Sequence, residues 1–293
     1  MHKKVCKTSA QQEHRNKRLF IASIDGDLLT VRALIAEGVD VNWAHPGQRL
    51  STPLHAASQM GHLSVVNALM AARVVVDRVD AEGYTALMLA AHEGHEAVVV
   101  ALHRVAGASV HHVNNDGRTA LHIAAQNGHV GVVRYLLRAA ANPNVVSAEG
   151  HGATPLTLAS GNGHLAVVQA LIEAGANVNH TNTRGVTSLM LAAQQGHIEV
   201  VRALLAAGAI ADHANTEGAT SLMLAAKFGH IEVVRALLAA NADPRIVAHN
   251  GATALSTAKH FNHPATAALL EARLAELGAP APAPSTGSGS GSV

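Results

Sequence analysis

The chain repeats itself with a fixed period, and no other property constrains its fold as strongly. Threonines stand at Thr52, Thr85, Thr119, Thr154, Thr187, Thr220 and Thr253, at steps of 33, 34, 35, 33, 33 and 33 residues. Ten residues after each comes a histidine: His62, His95, His129, His164, His197, His230 and His263. Glycine precedes six of these and Asn262 the last. Two units, 187–209 and 220–242, agree at 20 of 23 positions and differ only at Gln194-Gln195 against Lys227-Phe228 and Gly208 against Asn241. A period of this length, held in phase across seven units, specifies small supersecondary modules that bury their apolar sides against one another.

Each module reads as turn, helix, turn, helix. The first helix, such as 188–195, is short and rich in Ala and Leu, and Gly196 ends it. The second spans about 198–207, where Val200, Val201, Leu204 and Leu205 form a broad apolar face. On the other side Glu199/Arg202 and Glu232/Arg235 are spaced i, i+3, each pair contributing about 0.2–0.5 kcal/mol. Gly208 suits a left-handed C-cap, with Asn241 the next best residue one unit on. Polar connections such as Asn182-Thr183-Arg184-Gly185 end on a turn glycine.

The spacing and the phrase STPLHAASQMGH (51–62) resemble the ankyrin repeat. The resemblance implies an all-α solenoid of helix-turn-helix units joined by short hairpin-like turns. On this reading residues 1–15 form a basic flexible N-terminus and 16–277 the repeat domain. Its units are about 16–49, 50–82, 83–116, 117–151, 152–184, 185–217, 218–250 and 251–277. A Pro/Ala/Gly/Ser tail, 278–293, is expected to be disordered. The first unit is degenerate, with Lys17 in the threonine position, and reads as a capping repeat. The last carries Pro264 where its second helix begins, a place that tolerates proline, and closes the array.

Several positions depart from the family phrase. Only His55 and His122 keep the histidine of T-P-L-H; Met88, Met190 and Met223 replace it three times, and Thr157 and Ser256 take the other two places. Methionine fills the volume but cannot donate the hydrogen bond, so those units are expected to rely on packing. Arg73 sits where Gly208 sits and should strain its cap by about 1 kcal/mol. Connections 42–52 and 144–154 each hold two extra residues and one more lies near Gly107, the kind of length variation that belongs to loops.

Composition narrows the functions open to such a chain. It is 48% hydrophobic but 2% aromatic, so a core of Ala, Leu and Val packs helices closely and does not wall a large pocket. A formal net charge of +1 gives no reason to expect nucleic acid or an anionic membrane as partner. One cysteine, Cys6, excludes a disulfide within the chain. No secretory signal and no apolar run long enough to span a bilayer stand out, so cytoplasm is expected, with the nucleus an alternative.

Chemistry finds little support. His92-Glu93-Gly94-His95 is one residue short of HExxH and straddles a helix-breaking glycine, and His111-His112 is an isolated pair, so no metal site, cofactor or catalytic group is expected. His112, His180 and His213 share one position, with Arg78 and Trp43 there in other units, and read as a solvated turn edge or, alternatively, as a weakly basic strip that gains charge below about pH 6.5. Asn42 and Asn179 occupy the position that asparaginyl hydroxylases modify in some family members.

Variation concentrates at the last two residues of each first helix. These are Gln59-Met60, His92-Glu93, Gln126-Asn127, Gly161-Asn162, Gln194-Gln195, Lys227-Phe228 and His260-Phe261. Family members bind proteins through such positions, which face a concave groove, and through turn tips, here Trp43, Tyr84, Arg118 and Arg184. Aromatic and Arg side chains are the usual anchors, whereas Phe20 reads as cap core, Tyr135 lies on a second helix, and Phe261 reads equally as a seal of the C-terminal cap. The expected function is therefore a monomeric, non-catalytic scaffold or adaptor for another protein. The alternative is a targeting subunit of an enzyme complex, such as a ubiquitin-ligase adaptor or a pathogen effector, using 2–18 or the tail.

Overall fold

The computed structural model describes residues 2–148 and 151–278; the tail expected over 278–293 lies outside them from 279 onward. The described residues hold sixteen α-helices in eight successive pairs and no strand, with one isolated antiparallel bridge, Ala214 to Thr220. This is the all-α repeat solenoid expected from the period. The chain divides into two compact units, Met1–Asn177 and Val178–Val293, whereas the sequence was read as a single array over 16–277.

In the first unit the leading helices of each pair are α1 (His2–Asp25), α3 (Pro53–Gln59), α5 (Ala86–Glu93), α7 (Ala120–Gln126) and α9 (Pro155–Gly161). The returning helices are α2 (Leu28–Ala36), α4 (Leu63–Ala71), α6 (Glu96–Ala106), α8 (Val130–Arg138) and α10 (Leu165–Glu173). Leading helices pack on leading helices and returning on returning, α1 on α3 on α5 on α7 on α9 and α2 on α4 on α6 on α8 on α10. The second unit repeats the scheme, with α11 (Ser188–Gln195), α13 (Ser221–Lys227) and α15 (Ala254–His260) leading. Its returning helices are α12 (Ile198–Ala206), α14 (Ile231–Ala239) and α16 (Pro264–Glu276).

The core is the predicted one. Val65, Val66 and Leu69 of α4, and their counterparts Val200, Val201 and Leu204 of α12, are fully buried or nearly so. Leu205 is only half-buried, so the apolar face is narrower than the sequence pattern suggested. The paired alanines before four of the variable pairs, such as Ala192-Ala193 and Ala225-Ala226, are fully buried, which lets adjacent leading helices approach closely.

Each threonine of the phase is an N-cap in extended conformation whose hydroxyl accepts from the N–H three residues on, as Thr52 does from His55 and Thr220 from Met223. The histidine departures follow expectation. At His55 and His122 the ring Nδ1 accepts from the threonine N–H, which fixes the proton on Nε2. That Nε2–H donates to a carbonyl of the following pair, Tyr84 at 3.0 Å or Ala153 at 3.3 Å. Thr157 and Ser256 keep a reciprocal bond through their hydroxyls, which sequence reading had not anticipated. The methionine units keep only the threonine cap. Arg73 adopts φ 59°, the strained conformation anticipated, and Ala140 does the same at φ 62°.

At the N-terminus the structure differs from expectation. α1 begins at His2 and so covers 2–15 of the stretch 1–15 read as a flexible lead. No proline or glycine interrupts 2–25, an i, i+4 pair (Glu13–Lys17, 2.8 Å) supports the helix, and Gly26 at φ 74° ends it. Leu19 and Phe20 of α1 are buried, as expected for a cap core.

Candidate interaction surface

The histidine ten residues past each threonine sits at the N-cap of a returning helix, and within each unit it reaches back one pair. In the first unit His62 Nε2 donates to the Ile24 carbonyl at 2.8 Å, His95 to Gln59 at 3.0 Å, His129 to His92 at 2.8 Å and His164 to Gln126 at 2.9 Å. In the second, His230 donates to Gln194 and His263 to Lys227, both at 3.0 Å. The accepting carbonyl belongs in five of these six bonds to the first residue of a variable pair. The glycine of each Gly-His phrase turns left-handed there, and a β-carbon on Gly61 or Gly196 would stand 2.7 Å from the next histidine ring. The fixed letters therefore clamp the backbone at which the variable letters are displayed.

The side chains on that clamped backbone differ in what they still offer. Gln59 and Met60 are exposed, Met60 by 50%. His92 and Glu93 are exposed and bond each other, Nδ1 to Oε1 at 3.0 Å. Asn127 and Asn162 each donate to the carbonyl four residues back, on Ile123 and Leu158, so these amides are partly spent on their own helices. Gln126 accepts from Arg118 at 2.8 Å, which joins a helix-end residue to a turn-tip residue. Arg118 is half-buried, its Nε is buried without an acceptor, and among the described residues no carboxylate forms an ion pair with it. Tyr84 is half-buried, and burial is the main cause of the upward shift of its hydroxyl pKa. Trp43 is not an isolated anchor: its ring meets His45 edge-on at 5.2 Å, and His45 tilts onto Phe20 at 4.9 Å.

In the second unit Arg184 is exposed and pairs loosely with Glu217 at 3.5 Å. Gln194 is half-buried and Gln195 exposed. The last two variable pairs come together. Lys227 Nζ stands 5.6 Å from the centroid of Phe228 and 5.4 Å from that of Phe261, and the two rings are 46% and 44% exposed. His230 stacks on Phe228 at 6.1 Å, and His260 meets Phe261 edge-on at 4.9 Å. The sequence placed all four residues at variable positions, with Phe261 alternatively a seal of the C-terminal cap, and gave no sign that one ammonium would serve both rings. Other cations of this unit are paired: Arg202 with Glu199, Arg235 with Glu232, Arg245 with Asp243, Lys259 with Glu271 and Arg273 with Glu276.

The remaining candidates fall to structural roles. His112 Nε2 donates to the Gly83 carbonyl at 3.1 Å. Asn42 accepts from the Val75 N–H at 2.7 Å, and Asn179 accepts from Ile210 and donates to Gly208, so both side chains tie neighbouring pairs. Among the described residues no three His, Cys, Asp or Glu side chains gather as metal ligands, and no helix is long and apolar enough to cross a membrane.

A family model described as "Ankyrin repeats (3 copies)" matches the sequence over 19–112, 97–182 and 176–248. A comparison with curated proteins returned no match.

Proposed function

We propose, from the premise that the chain belongs to the ankyrin repeat family, that it acts as a non-catalytic scaffold or adaptor that holds a segment of another protein against the ends of its leading helices. Ankyrin repeats are in general protein–protein interaction modules. The observation that carries the reading is the clamp: a histidine from one pair bonds the carbonyl at the variable residue of the pair before, while the side chains of the variable pairs are exposed or half-buried there. A surface held this way loses little backbone entropy on binding, so more of the contact energy appears as affinity. We read it further as a monomer of the cytoplasm, which remains the expectation raised by the sequence.

A site-resolved crosslink tests this. A photoreactive amino acid placed at Gln195 should capture a specific protein in cells, whereas the same group at Glu199 on α12, or at Arg202, should not. Equal capture from both positions, or none from Gln195 and Met60, would refute the assignment of the binding side.

A further inference from the structure

We infer that the end of the second unit, centred on Lys227, Phe228 and Phe261, recognises an acidic peptide segment that carries an aromatic or aliphatic anchor next to its carboxylate. This deepens the interaction reading above and rests on it. From Val178 onward the sequence holds seven Lys and Arg and seven Asp and Glu. Six of the seven cations lie against a carboxylate; among the described residues Lys227 is the one that does not. It is held instead between the faces of two phenyl rings.

That arrangement suits a ligand and is poorly explained by folding alone. A cation over a ring keeps its charge and most of its donors, so an incoming carboxylate meets an ammonium already oriented and partly stripped of water. The rings flanking it are about half exposed, in a chain with only three Phe residues, and would be covered by an apolar side chain adjacent to that carboxylate. His260 borders the Phe261 ring and adds a further polar group, whereas the Nε2–H of His230, stacked on Phe228, is already given to the Gln194 carbonyl. A cation at this helix end is not a scaffold requirement, because the otherwise matching unit before it carries Gln194-Gln195 there and keeps the same histidine bond. The backbone under Lys227 is fixed by the donation from His263.

The double variant Lys227→Gln/Phe228→Gln gives this pair the residues of the preceding one, which the scaffold already tolerates. Random dodecapeptides displayed on phage are selected on the immobilised full chain, and enriched sequences are synthesised and titrated by fluorescence anisotropy. The expected result is enrichment of Asp or Glu beside Phe, Trp or Leu, with affinity falling about tenfold or more in the double variant and in Phe261→Ala. Lys227→Arg, which keeps charge and ring stacking, should retain binding. Peptides that are basic or neutral, or that bind the double variant unchanged, overturn this inference. If such peptides lose affinity on Tyr84→Ala or Arg118→Ala instead, the interaction reading stands and this site does not. Absence of any enriched peptide overturns both.

Discussion

At single residues the structure shows where the chain spends stability on conformation. Arg73 follows the last turn of α4 at φ 59° and bonds the Met70 carbonyl, as Gly208 bonds Leu205 at the equivalent place with φ 85°. A β-carbon in that conformation costs about 1 kcal/mol, so Arg73→Gly should raise the stability of the first unit by roughly that amount in urea titration. His122 spends stability differently. It is fully buried, and burial pushes its pKa from 6.5 down to about 4. The unfolded chain therefore binds a proton that the folded chain refuses. Its contribution to stability is intact above pH 6.5, falls as pH drops toward 4 and then levels, a loss on the order of 3 kcal/mol. His55 is shifted in the same direction for the same cause. Unfolding midpoints for wild type and His122→Met, measured from pH 7 to pH 4, should converge as pH falls, because Met cannot take up a proton. Parallel curves would show that His122 is protonated without penalty.

Among the elements, the leading helices divide by how their first turn is closed. α3, α7, α9 and α15 carry a reciprocal capping box, whereas α5, α11 and α13 rely on the threonine alone. Removing the hydroxyl should cost about 1 kcal/mol at Thr220 and more at Thr52, where the same hydroxyl also donates to the His55 ring at 2.8 Å. Thr220→Val and Thr52→Val compared by chemical denaturation check this, and equal losses would mean the second bond adds nothing. This division was legible in the sequence at His55, His122 and the three methionines, since it follows from which side chains can hydrogen-bond. It was missed at Thr157 and Ser256, whose short hydroxyls were not credited with the reach. The variable pairs were legible as surface because the buried alanines beside them fix the helix face. The partners of Arg118, Asn127 and Asn162 were not, because long or rotatable polar side chains choose among acceptors that only the folded backbone supplies. The N-terminal helix was misjudged from its charge, although 2–25 lacks any residue that breaks a helix.

For the molecule as a whole, stability in a stack is a sum of module terms and nearest-neighbour terms. The histidine clamp is one such neighbour term, and its removal should propagate only locally. Gly196 offers the sharpest place to break it, because its φ is 78° and an added β-carbon would meet the His230 ring 2.7 Å away. That ring cannot retreat without losing its bond to the Gln194 carbonyl. Gly196→Ala should therefore cost at least about 2 kcal/mol, from the left-handed strain and the lost hydrogen bond together. Hydrogen exchange would locate the damage: amides of α11 to α14 should exchange faster, with the effect fading toward α16. The same substitution should also loosen Gln194-Gln195, so a partner segment held at that pair would be lost before the second unit unfolds globally. Uniform acceleration across α11 to α16 would instead show that the second unit opens as one cooperative body, and that the clamp fixes the display surface only by holding the unit folded.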